Sequence, residues 1–268
     1  MPELPEVETI TRDLAGCITG KEITGVEARD GMVLGNLLPK DFAVRLTGKT
    51  ITRLQRRGKA IIIELSSGGF LVVQLAMTGQ LIYGGPMPES KVIFKLSNRK
   101  YLNYNDQRRF GRLSVFENLD QMKFLQSLGP EPLGGAFGLC WFAKALKKKA
   151  APIKTLLMNQ SFIAGIGNIY ASEILFRAKI NPKRPARALK PDEIKRLRRM
   201  TINVLKEAIR LRGSSVNTYR DAKGERGFFI NRIKVYGRDN EKCVLCGSLI
   251  ARIILSGRST FFCRKCQA

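Results

Sequence analysis

Apolar and polar residues alternate over short stretches before about residue 117, and each stretch is rich in β-branched or aromatic side chains. This pattern predicts strands, several of them separated by Gly-containing turns such as Ser66-Ser67-Gly68-Gly69. The predicted strands are Glu22 to Val26, Thr50 to Leu54, Ala60 to Leu65, Phe70 to Leu75, Lys91 to Leu96 and Arg99 to Tyr104. One helix, from about Glu6 to Leu14, precedes them. The first half of the chain is therefore predicted to be a β-sandwich with a flanking helix.

Helical spacing replaces this pattern in the second half. Apolar residues between Trp141 and Leu157 predict helices that are interrupted near Pro152, and those between Ile194 and Ile209 predict a longer helix. A stretch dense in Pro and Gly, residues 128–135, separates the two halves and suits an interdomain linker. We therefore predict an α+β fold with two domains.

Four cysteines form two CxxC pairs with the spacing Cys243-x2-Cys246-x16-Cys263-x2-Cys266. Each pair places two thiolates at a tight turn, and two pairs together complete a tetrahedral Zn²⁺ shell. The alternative is two disulfides or four unrelated thiols. Adjacent CxxC pairs make strained disulfides, and no secretory context supports oxidation, so we predict one structural zinc ion. Cys17 and Cys140 lie outside the quartet and are predicted to be reduced core thiols.

The sequence is strongly basic, because 47 Lys and Arg residues oppose 22 Asp and Glu residues and leave a formal net charge of +25. Such a charge attracts nucleic acid, and the release of condensed counterions makes the binding depend on salt. An anionic membrane surface is the rival partner. The sequence shows no apolar run of about 18 residues and no signal-peptide pattern, so we expect a cytoplasmic protein.

The chain contains no histidine, which excludes Ser-His-Asp triads, His-ligated catalytic zinc and imidazole acid-base chemistry. An enzyme with this sequence has to use carboxylates, amines or hydroxyls. Once Met1 is removed, Pro2 offers a secondary amine beside Glu3, and an α-amino group with a pKa of about 7.7 to 8.0 is partly neutral near neutral pH. Attack of this amine on a sugar C1′ would displace a base, with Glu3 as the proton donor. Taken by themselves, these residues favour an ordinary N-terminus without chemistry.

A second candidate site lies between predicted helices, where Gly165 and Gly167 permit a tight turn and Asn168 can cap the helix that follows. Backbone N–H groups and the helix dipole at such a turn can hold a phosphate. An ordinary connection, with glycine used for packing, explains the turn equally well. The upstream lysines, Lys147 to Lys149 and Lys154, favour a phosphate site, although most runs of charge are solvated.

Several segments resemble a known family in their order along the chain. They are Met-Pro-Glu-Leu-Pro-Glu-Val-Glu-Thr at residues 1–9, Gly58-Lys59, Gln74 to Gly79, Asp106 to Gly111, Gly165 to Glu173, Val235 to Arg238 and the cysteine quartet. The chain resembles the bacterial formamidopyrimidine-DNA glycosylases over essentially its full length. The resemblance implies an N-terminal β-sandwich catalytic domain at residues 1–128, a linker at 129–136, a helical DNA-binding domain with a helix-two-turn-helix at 137–230, and a C-terminal zinc finger with a β-hairpin at 231–268.

The resemblance also implies roles for individual residues. Pro2 would be the Schiff-base nucleophile and Glu3 the proton donor that opens the sugar ring, with Glu6 in support. Lys59 would assist β-elimination and Arg258 would assist δ-elimination, and both cations would bind phosphates that flank the lesion. The space left by the extruded nucleotide would be filled by Met77, Arg108 and Phe110, because the target carbon is inaccessible in a stacked duplex.

Further DNA contacts implied for this chain are Lys91, Arg109, Lys149, Lys154 and Asn168. Glu173 and Tyr236 would support the site. The loop from Ser214 to Phe228 would cover the flipped base.

Each of these residues also has an ordinary structural role as an alternative, and we keep that alternative for Glu8 only. Met77 and Phe110 are of the types that usually lie in a core, and Arg108 and Lys59 are of the types that usually lie on a solvated surface. We interpret Glu8 as an ordinary carboxylate in the first turn of a helix.

Three positions depart from the family pattern. Gln74 replaces the usual histidine, and it can form hydrogen bonds but cannot carry a proton charge, so positioning or pH response can differ. Glu89-Ser90-Lys91 stands where His-rich sequence is common, and Lys91 can serve the same DNA contact. Gln107 replaces the common proline after Asp106, which loosens a rigid turn.

The sequence therefore predicts a bifunctional DNA glycosylase and abasic-site lyase in base excision repair. It would excise oxidised purines such as 8-oxoguanine and formamidopyrimidines from duplex DNA through a Pro2 Schiff base with β,δ-elimination. The predicted partner is duplex DNA with an oxidised base or an abasic site, without a membrane, and we expect a cytoplasmic, nucleoid-associated monomer.

Two alternatives stay open. An endonuclease VIII-like enzyme for oxidised pyrimidines would share the architecture, but the Pro5-Glu6-Val7 continuation and the full zinc hairpin favour the purine branch. A non-catalytic DNA-binding relative would share the fold, but the intact Pro2-Glu3 pair argues against it.

Overall fold

The computed structural model describes residues 1–216 and 218–267, and Asn217 and Ala268 lie outside the described residues. The chain divides into two units. One comprises Met1–Gln126 together with Leu211–Ile230, and the other comprises Ser127–Arg210 together with Asn231–Ala268. Residues 211–230 thus group with the N-terminal unit, whereas the boundaries predicted from the sequence assign them to the helical domain. The domain boundaries given from the sequence stay a prediction.

The N-terminal unit is built from two antiparallel sheets and the helices that pack on them. Its elements are α1 (Leu4–Ile18), β1 (Ile23–Ala28), α2 (Pro39–Leu46), β2 (Ile51–Arg57), β3 (Ala60–Leu65), β4 (Phe70–Gln74), β5 (Gly79–Gly84), β6 (Val92–Leu96), β7 (Tyr101–Asp106), β8 (Arg112–Phe116) and α3 (Lys123–Gln126). One sheet has the strand order β1-β6-β7-β5 and the other has the order β2-β3-β4-β8. The predicted β-sandwich with a flanking helix is confirmed.

One hydrophobic core joins both sheets to α1 and α2. The helix α1 contributes Val7, Ile10, Leu14 and Ile18, which lie three or four positions apart and are fully buried. Alternate residues of β3, beginning with Ile61, face the same core, as a period of two requires. The burial of this face fixes α1 on the sandwich, and it thereby fixes the N-terminal residues that α1 carries.

The second unit is helical and ends in a β-hairpin. Its elements are α4 (Leu139–Lys147), α5 (Ile153–Met158), α6 (Asn168–Arg177), α7 (Pro191–Arg210), β9 (Ile250–Leu255) and β10 (Arg258–Cys263). The predicted long helix is α7, which buries Ile194, Leu197, Val204 and Leu205 on one face. No helix among the described residues is long and apolar enough to cross a membrane.

The turn between α5 and α6 is organised by the amide of Gln160. Its Nε2 donates to the carbonyls of Met158 and Ile166, both at 2.8 Å, and its Oε1 accepts from the Gly165 N–H at 2.9 Å. These three bonds replace the helical bonds that the turn lacks. The N-terminus of α6 and the side chain of Asn168 are thereby held in a defined place.

Candidate functional site

The N-terminal residues lie at the start of α1 in a buried capping box. Pro2 is buried, and Glu3 is the N-cap residue and is 3% exposed. The Glu3 side chain accepts a hydrogen bond from the Glu6 backbone, and Glu6 Oε2 accepts from the Glu3 N–H at 2.8 Å. This reciprocal pairing satisfies helix donors that would otherwise be unpaired, so both carboxylates are fixed beside Pro2.

Lys59 lies near the amino terminus, because its charge affects the pKa of the Met1 amino group. Burial lowers the pKa of the Met1 amino group, and the carboxylates of Glu3 and Glu6 oppose that effect, while the positive charge of Lys59 adds to it. Lys59 stands in the two-residue turn between β2 and β3 and is half-buried. The structure therefore brings together Pro2, Glu3, Glu6 and Lys59, four of the residues that the sequence singled out.

Glu8 and Arg56 connect α1 to the turn that carries Lys59. Glu8 Oε2 accepts from Arg56 Nε at 2.7 Å, and Arg56 Nη1 donates to the Gly58 carbonyl at 3.0 Å. Burial alone would raise the pKa of Glu8, but hydrogen bonds from Arg56 and Arg12 outweigh it and hold the pKa below its usual value. The sequence predicts an ordinary first-turn carboxylate at Glu8 and no role for Arg56, so this contact was not foreseen.

Met77, Arg108 and Phe110 are predicted to fill the space left by the extruded nucleotide, and we call them the wedge residues. All three are exposed. Met77 is 42% exposed and Phe110 is 55% exposed, which is unusual for side chains of this size and apolarity. The guanidinium of Arg108 lies 4.7 Å from the centroid of the Phe110 ring. The alternative that Met77 and Phe110 are core residues is wrong for this structure.

A buried carboxylate shapes the turn that presents Arg108 and Phe110. Asp106 is 1% exposed, and its Oδ1 accepts from the Arg108 N–H at 3.2 Å and from the Thr78 hydroxyl. Its Oδ2 accepts from the Gly111 N–H at 2.7 Å and from the Tyr104 hydroxyl at 3.4 Å. Four donors on one carboxylate hold the turn without the proline that the family commonly has at position 107.

Arg109 and Lys91, the other predicted DNA contacts of this unit, share one acidic partner. Asp30 Oδ2 lies 2.6 Å from Arg109 Nε and 3.9 Å from Lys91 Nζ. No pattern in the sequence marks Asp30 as a functional residue.

The loop that is predicted to cover the flipped base begins against Glu6. Glu6 Oε1 accepts from the Ser214 N–H at 2.7 Å, so one carboxylate bonds to both Glu3 and the loop. The preceding Gly213 has φ +77°, and a Cβ there would lie 2.8 Å from the Glu6 side chain, so only glycine fits. Farther along, the Tyr83 N–H donates to the Ala222 carbonyl at 2.8 Å, and this bond attaches the loop to the end of β5. Asn217, within this loop, lies outside the described residues.

In the second unit, the start of β10 meets the N-terminal ends of α5 and α6. Asn168 Nδ2 donates to the Ser259 carbonyl at 3.0 Å, and Lys154 Nζ donates to the same carbonyl at 3.0 Å and to Thr260 Oγ1 at 2.8 Å. Lys154 is 1% exposed, so it supports the hairpin, and its contact with DNA stays a prediction. Arg258 lines an open pocket of about 290 Å³ beside Lys154 and Asn159.

The predicted supporting residues, Glu173 in the middle of α6 and Tyr236, are in contact with each other. The fully buried Glu173 accepts from the backbone N–H groups of Lys234, Val235 and Tyr236 at 2.9 to 3.1 Å. The Tyr236 ring meets the Phe261 ring edge-on at 5.2 Å, which packs this segment against β10. Lys149 is exposed just after α4 and has none of these contacts.

The four cysteines form a site that fits zinc. Their sulfur atoms all lie within 4.8 Å of one another, with 3.9 Å between Cys243 and Cys266 and 3.5 Å between Cys246 and Cys263. A tetrahedral Zn²⁺ with Zn–S bonds of about 2.3 Å separates its ligands by about 3.8 Å. Four thiolates leave no position for a water, so the zinc is structural. The zinc prediction is confirmed.

The two remaining cysteines differ from each other. Cys17 is half-buried and packs against the core of the N-terminal unit. Cys140 is exposed, so the prediction of a core thiol is wrong for Cys140.

Three family models match the chain in succession. Residues 1–113 match the formamidopyrimidine-DNA glycosylase N-terminal domain, residues 128–220 match the H2TH domain of the same family, and residues 240–268 match the zinc finger found in FPG and IleRS. The formamidopyrimidine-DNA glycosylase of Pelotomaculum thermopropionicum is 42% identical, across 100% of this chain and 99% of its own. That of Listeria monocytogenes is 38% identical, across 100% of both chains.

Solved structures agree with this assignment. The MutM (Fpg) protein from Thermus thermophilus is 40% identical, with a TM-score of 0.90 over 99% of this chain and 98% of its own. Lactococcus lactis Fpg in complex with abasic-site DNA is 36% identical, with a TM-score of 0.91 over 99% of both chains. The chain belongs to the formamidopyrimidine-DNA glycosylase family.

Proposed function

We propose that this chain is a bifunctional DNA glycosylase and abasic-site lyase that removes oxidised purines from duplex DNA in base excision repair. The observation that carries the proposal is the buried pair Glu3 and Glu6 at Pro2, with the positive charge of Lys59 beside it. The names of the relatives add support, because they describe glycosylases of formamidopyrimidine, an oxidised purine product. Base excision would take place in the cytoplasm, on the DNA of the nucleoid.

The amine of Pro2 would carry the covalent step after removal of Met1. Its lone pair attacks C1′ of the damaged nucleotide, the C1′–N bond to the base breaks, and the base leaves with a proton. Glu3 would supply the proton that opens the sugar ring, and the product on the protein would be an iminium between C1′ and the Pro2 nitrogen. Loss of a proton from C2′ then expels the 3′ phosphate, and a second elimination expels the 5′ phosphate.

The cations would have separate tasks in this sequence of steps. Burial lowers the pKa of the Met1 amino group, and the positive charge of Lys59 adds to that effect; after removal of Met1 the same two influences would favour the neutral amine of Pro2. The Lys59 ammonium would assist β-elimination, and Arg258 at the hairpin turn would assist δ-elimination. Zinc supplies no chemistry, and its thiolate ligands hold the hairpin that carries Arg258.

DNA binding would combine a wedge with phosphate contacts. The exposed Met77, Arg108 and Phe110 offer two apolar groups and one cation on the N-terminal unit, as insertion into a base stack requires. Asn168 and Arg258 would bind phosphates from the second unit. The Lactococcus lactis protein in complex with a Fapy-dG containing DNA, 36% identical to this chain, supports the same class of partner.

An excision assay tests the proposal. Duplex oligonucleotides that carry 8-oxoguanine, a formamidopyrimidine or an oxidised pyrimidine are incubated with the wild type, with Glu3→Gln and with the control Glu22→Gln, which changes an exposed carboxylate outside the site. We expect the wild type and the control to release the purines, and Glu3→Gln to lose this activity. Release of the pyrimidine alone would favour an endonuclease VIII-like enzyme, and release of no base would favour a non-catalytic relative.

A further inference from the structure

We propose that Asp30 is a positioning residue with two effects. It lowers the affinity of the protein for undamaged DNA, and it holds in place the turn at residues 107–111 that carries Arg108 and Phe110, which we call the wedge turn. The proposal rests on the DNA-repair function proposed above. The carboxylate would occupy Arg109 and Lys91 and so weaken their contacts with a phosphate backbone, and it would fix the turn on which Arg108 and Phe110 stand.

The carboxylate of Asp30 is held from three sides. Asp30 follows β1 and caps the short helical turn Gly31–Val33, where its Oδ1 accepts from the Met32 N–H at 3.1 Å. Its Oδ2 takes the Arg109 Nε at 2.6 Å and has Lys91 Nζ at 3.9 Å. The Asp30 side chain is 13% exposed, against 48% for Arg109 and 30% for Lys91, so the acid lies beneath the cations that face solvent.

Arg109 has a strained backbone conformation in the wedge turn. It stands between Arg108 and Phe110 and has φ +57°, a left-handed backbone that costs energy for a residue with a Cβ. Its carbonyl accepts from Arg112 Nη1 at 2.8 Å, and its guanidinium is bound by Asp30. Because both ends of Arg109 are bound, the neighbouring wedge side chains project from a fixed backbone.

The charges favour a second effect on DNA binding. Without Asp30, Arg109 and Lys91 would present two positive charges to any phosphate backbone, and with Asp30 the local sum is +1. Each phosphate neutralised by a protein cation steepens the dependence of log K on log salt by about 0.9 in duplex DNA. A carboxylate that already binds both cations therefore weakens contacts with phosphates that any sequence offers, damaged or not.

The ionisation of Asp30 agrees with this role. Burial alone would raise its pKa, but the hydrogen bonds from Arg109 and from the Met32 N–H outweigh burial and hold the pKa below its usual value. The carboxylate is therefore charged at neutral pH.

Asp30→Asn separates the ion pairs from the helical cap. If the amide oxygen keeps the bond to the Met32 N–H, the amide NH2 group faces Arg109, and two donors do not bind each other. The matched control is Glu27→Gln in β1, which removes a carboxylate bound to Arg29 and Lys95 but not to the wedge turn. Both variants lose one negative charge, so general effects of net charge cancel.

The experiment measures the Kd for undamaged duplex across a range of salt, the kcat for excision of 8-oxoguanine, and the cleavage of a preformed abasic site. For Asp30→Asn we expect tighter binding to undamaged duplex with a salt slope that is steeper by about 1 to 2, one step for each freed cation. We expect a fall of about tenfold in excision and less than about twofold in abasic-site cleavage, since an abasic site costs less to flip. Glu27→Gln should leave the excision rate unchanged and steepen the salt slope less.

A merely structural role would give a different result, because damage to the cap would weaken binding and both reactions together. That outcome, or an unchanged salt slope, overturns the proposal. The double variant Asp30→Asn, Arg109→Gln serves as a second measurement, and its salt slope should fall below that of Asp30→Asn by about 1, because the freed cation is gone. If the wild type releases no base and cleaves no abasic site, the proposed function fails, whereas the salt slopes still test Asp30.

Discussion

The covering loop is tied to α1 by one arginine, and removal of that arginine gives the most quantitative prediction. Arg212 binds Asp221 within the loop through Nε at 2.9 Å, and it binds Asp13 on α1 through Nη1 at 3.2 Å. These hydrogen bonds hold the pKa of Arg212 above its usual value. Arg212→Gln removes the charge and leaves both carboxylates without their cation.

The two ion pairs differ in burial, and burial sets the expected loss. Asp221 is 0% exposed, and removal of one partner from a buried pair costs about 3 to 5 kcal/mol. Its other oxygen keeps hydrogen bonds from the N–H groups of Lys223 and Glu225, both at 2.9 Å, so we take the lower end, about 3 kcal/mol. Asp13 is 14% exposed and Arg212 is 30% exposed, so this pair adds about 0.5 kcal/mol.

Urea unfolding and amide hydrogen exchange measure the effect. We expect Arg212→Gln to lower the stability of the loop by about 3.5 kcal/mol, which raises exchange at the Lys223 and Glu225 amides by between about 10² and 10³. The matched control is Arg12→Gln, because Arg12 is 65% exposed and pairs with Glu8 one helical turn away, where about 0.3 to 0.5 kcal/mol is typical. Equal effects of the two variants, or unchanged exchange at both loop amides, would refute the reasoning.

Three further predictions concern the zinc site, the wedge and the Lys59 turn. Cys263→Ser should lose zinc and weaken DNA binding while the N-terminal unit stays folded, and normal DNA affinity in protein shown to lack zinc contradicts this. Arg108→Ala should slow excision from duplex DNA about tenfold more than it slows cleavage of a preformed abasic site, and equal losses would indicate a general phosphate contact. The pKa of Glu8 is lower in the folded state than in the unfolded state. The pairing of Glu8 with Arg56 therefore stabilises the protein at pH values above the unfolded pKa of about 4.3, and this stabilisation is lost as the pH falls through the folded pKa. Glu8→Gln should therefore lower the urea midpoint at pH 7, corresponding to about 1 kcal/mol, and less at about pH 3, and an equal loss at both pH values would contradict the assignment.

Features that depend on neighbours in sequence were predictable. The two CxxC pairs predict the zinc site because two cysteines at this spacing place both thiolates on one tight turn, as structural zinc sites require. The strand Ala60–Leu65 was predicted with its observed bounds, since four of its six residues are Ile or Leu and a turn flanks it on each side. The helix α1 was predicted from about Glu6 to Leu14 and runs from Leu4 to Ile18, so its existence was predictable from the local pattern but its ends were not.

Features that depend on distant residues were not predictable. The strand β5 was missed because Gly79 and Gly84 at its ends are typical of turns, yet it forms by pairing with β7, where Gly79 lies opposite Asp106 and Gly84 opposite Tyr101. The role of Glu8 depends on Arg56, 48 positions away, and that of Asp30 depends on Arg109, 79 positions away. No local pattern marks a carboxylate whose partner comes from a distant part of the chain.

Borohydride trapping followed by peptide mapping tests the central claim most directly. The protein without Met1 is incubated with an 8-oxoguanine duplex and reduced, which fixes an iminium as a stable amine. We predict a covalent adduct through the Pro2 nitrogen, and no adduct when Met1 is retained, because an amide lone pair is delocalised into the carbonyl. Glu3→Gln should impair excision more than it impairs trapping on a preformed abasic site. Linkage to a lysine such as Lys59, with Pro2 unmodified, would contradict the account.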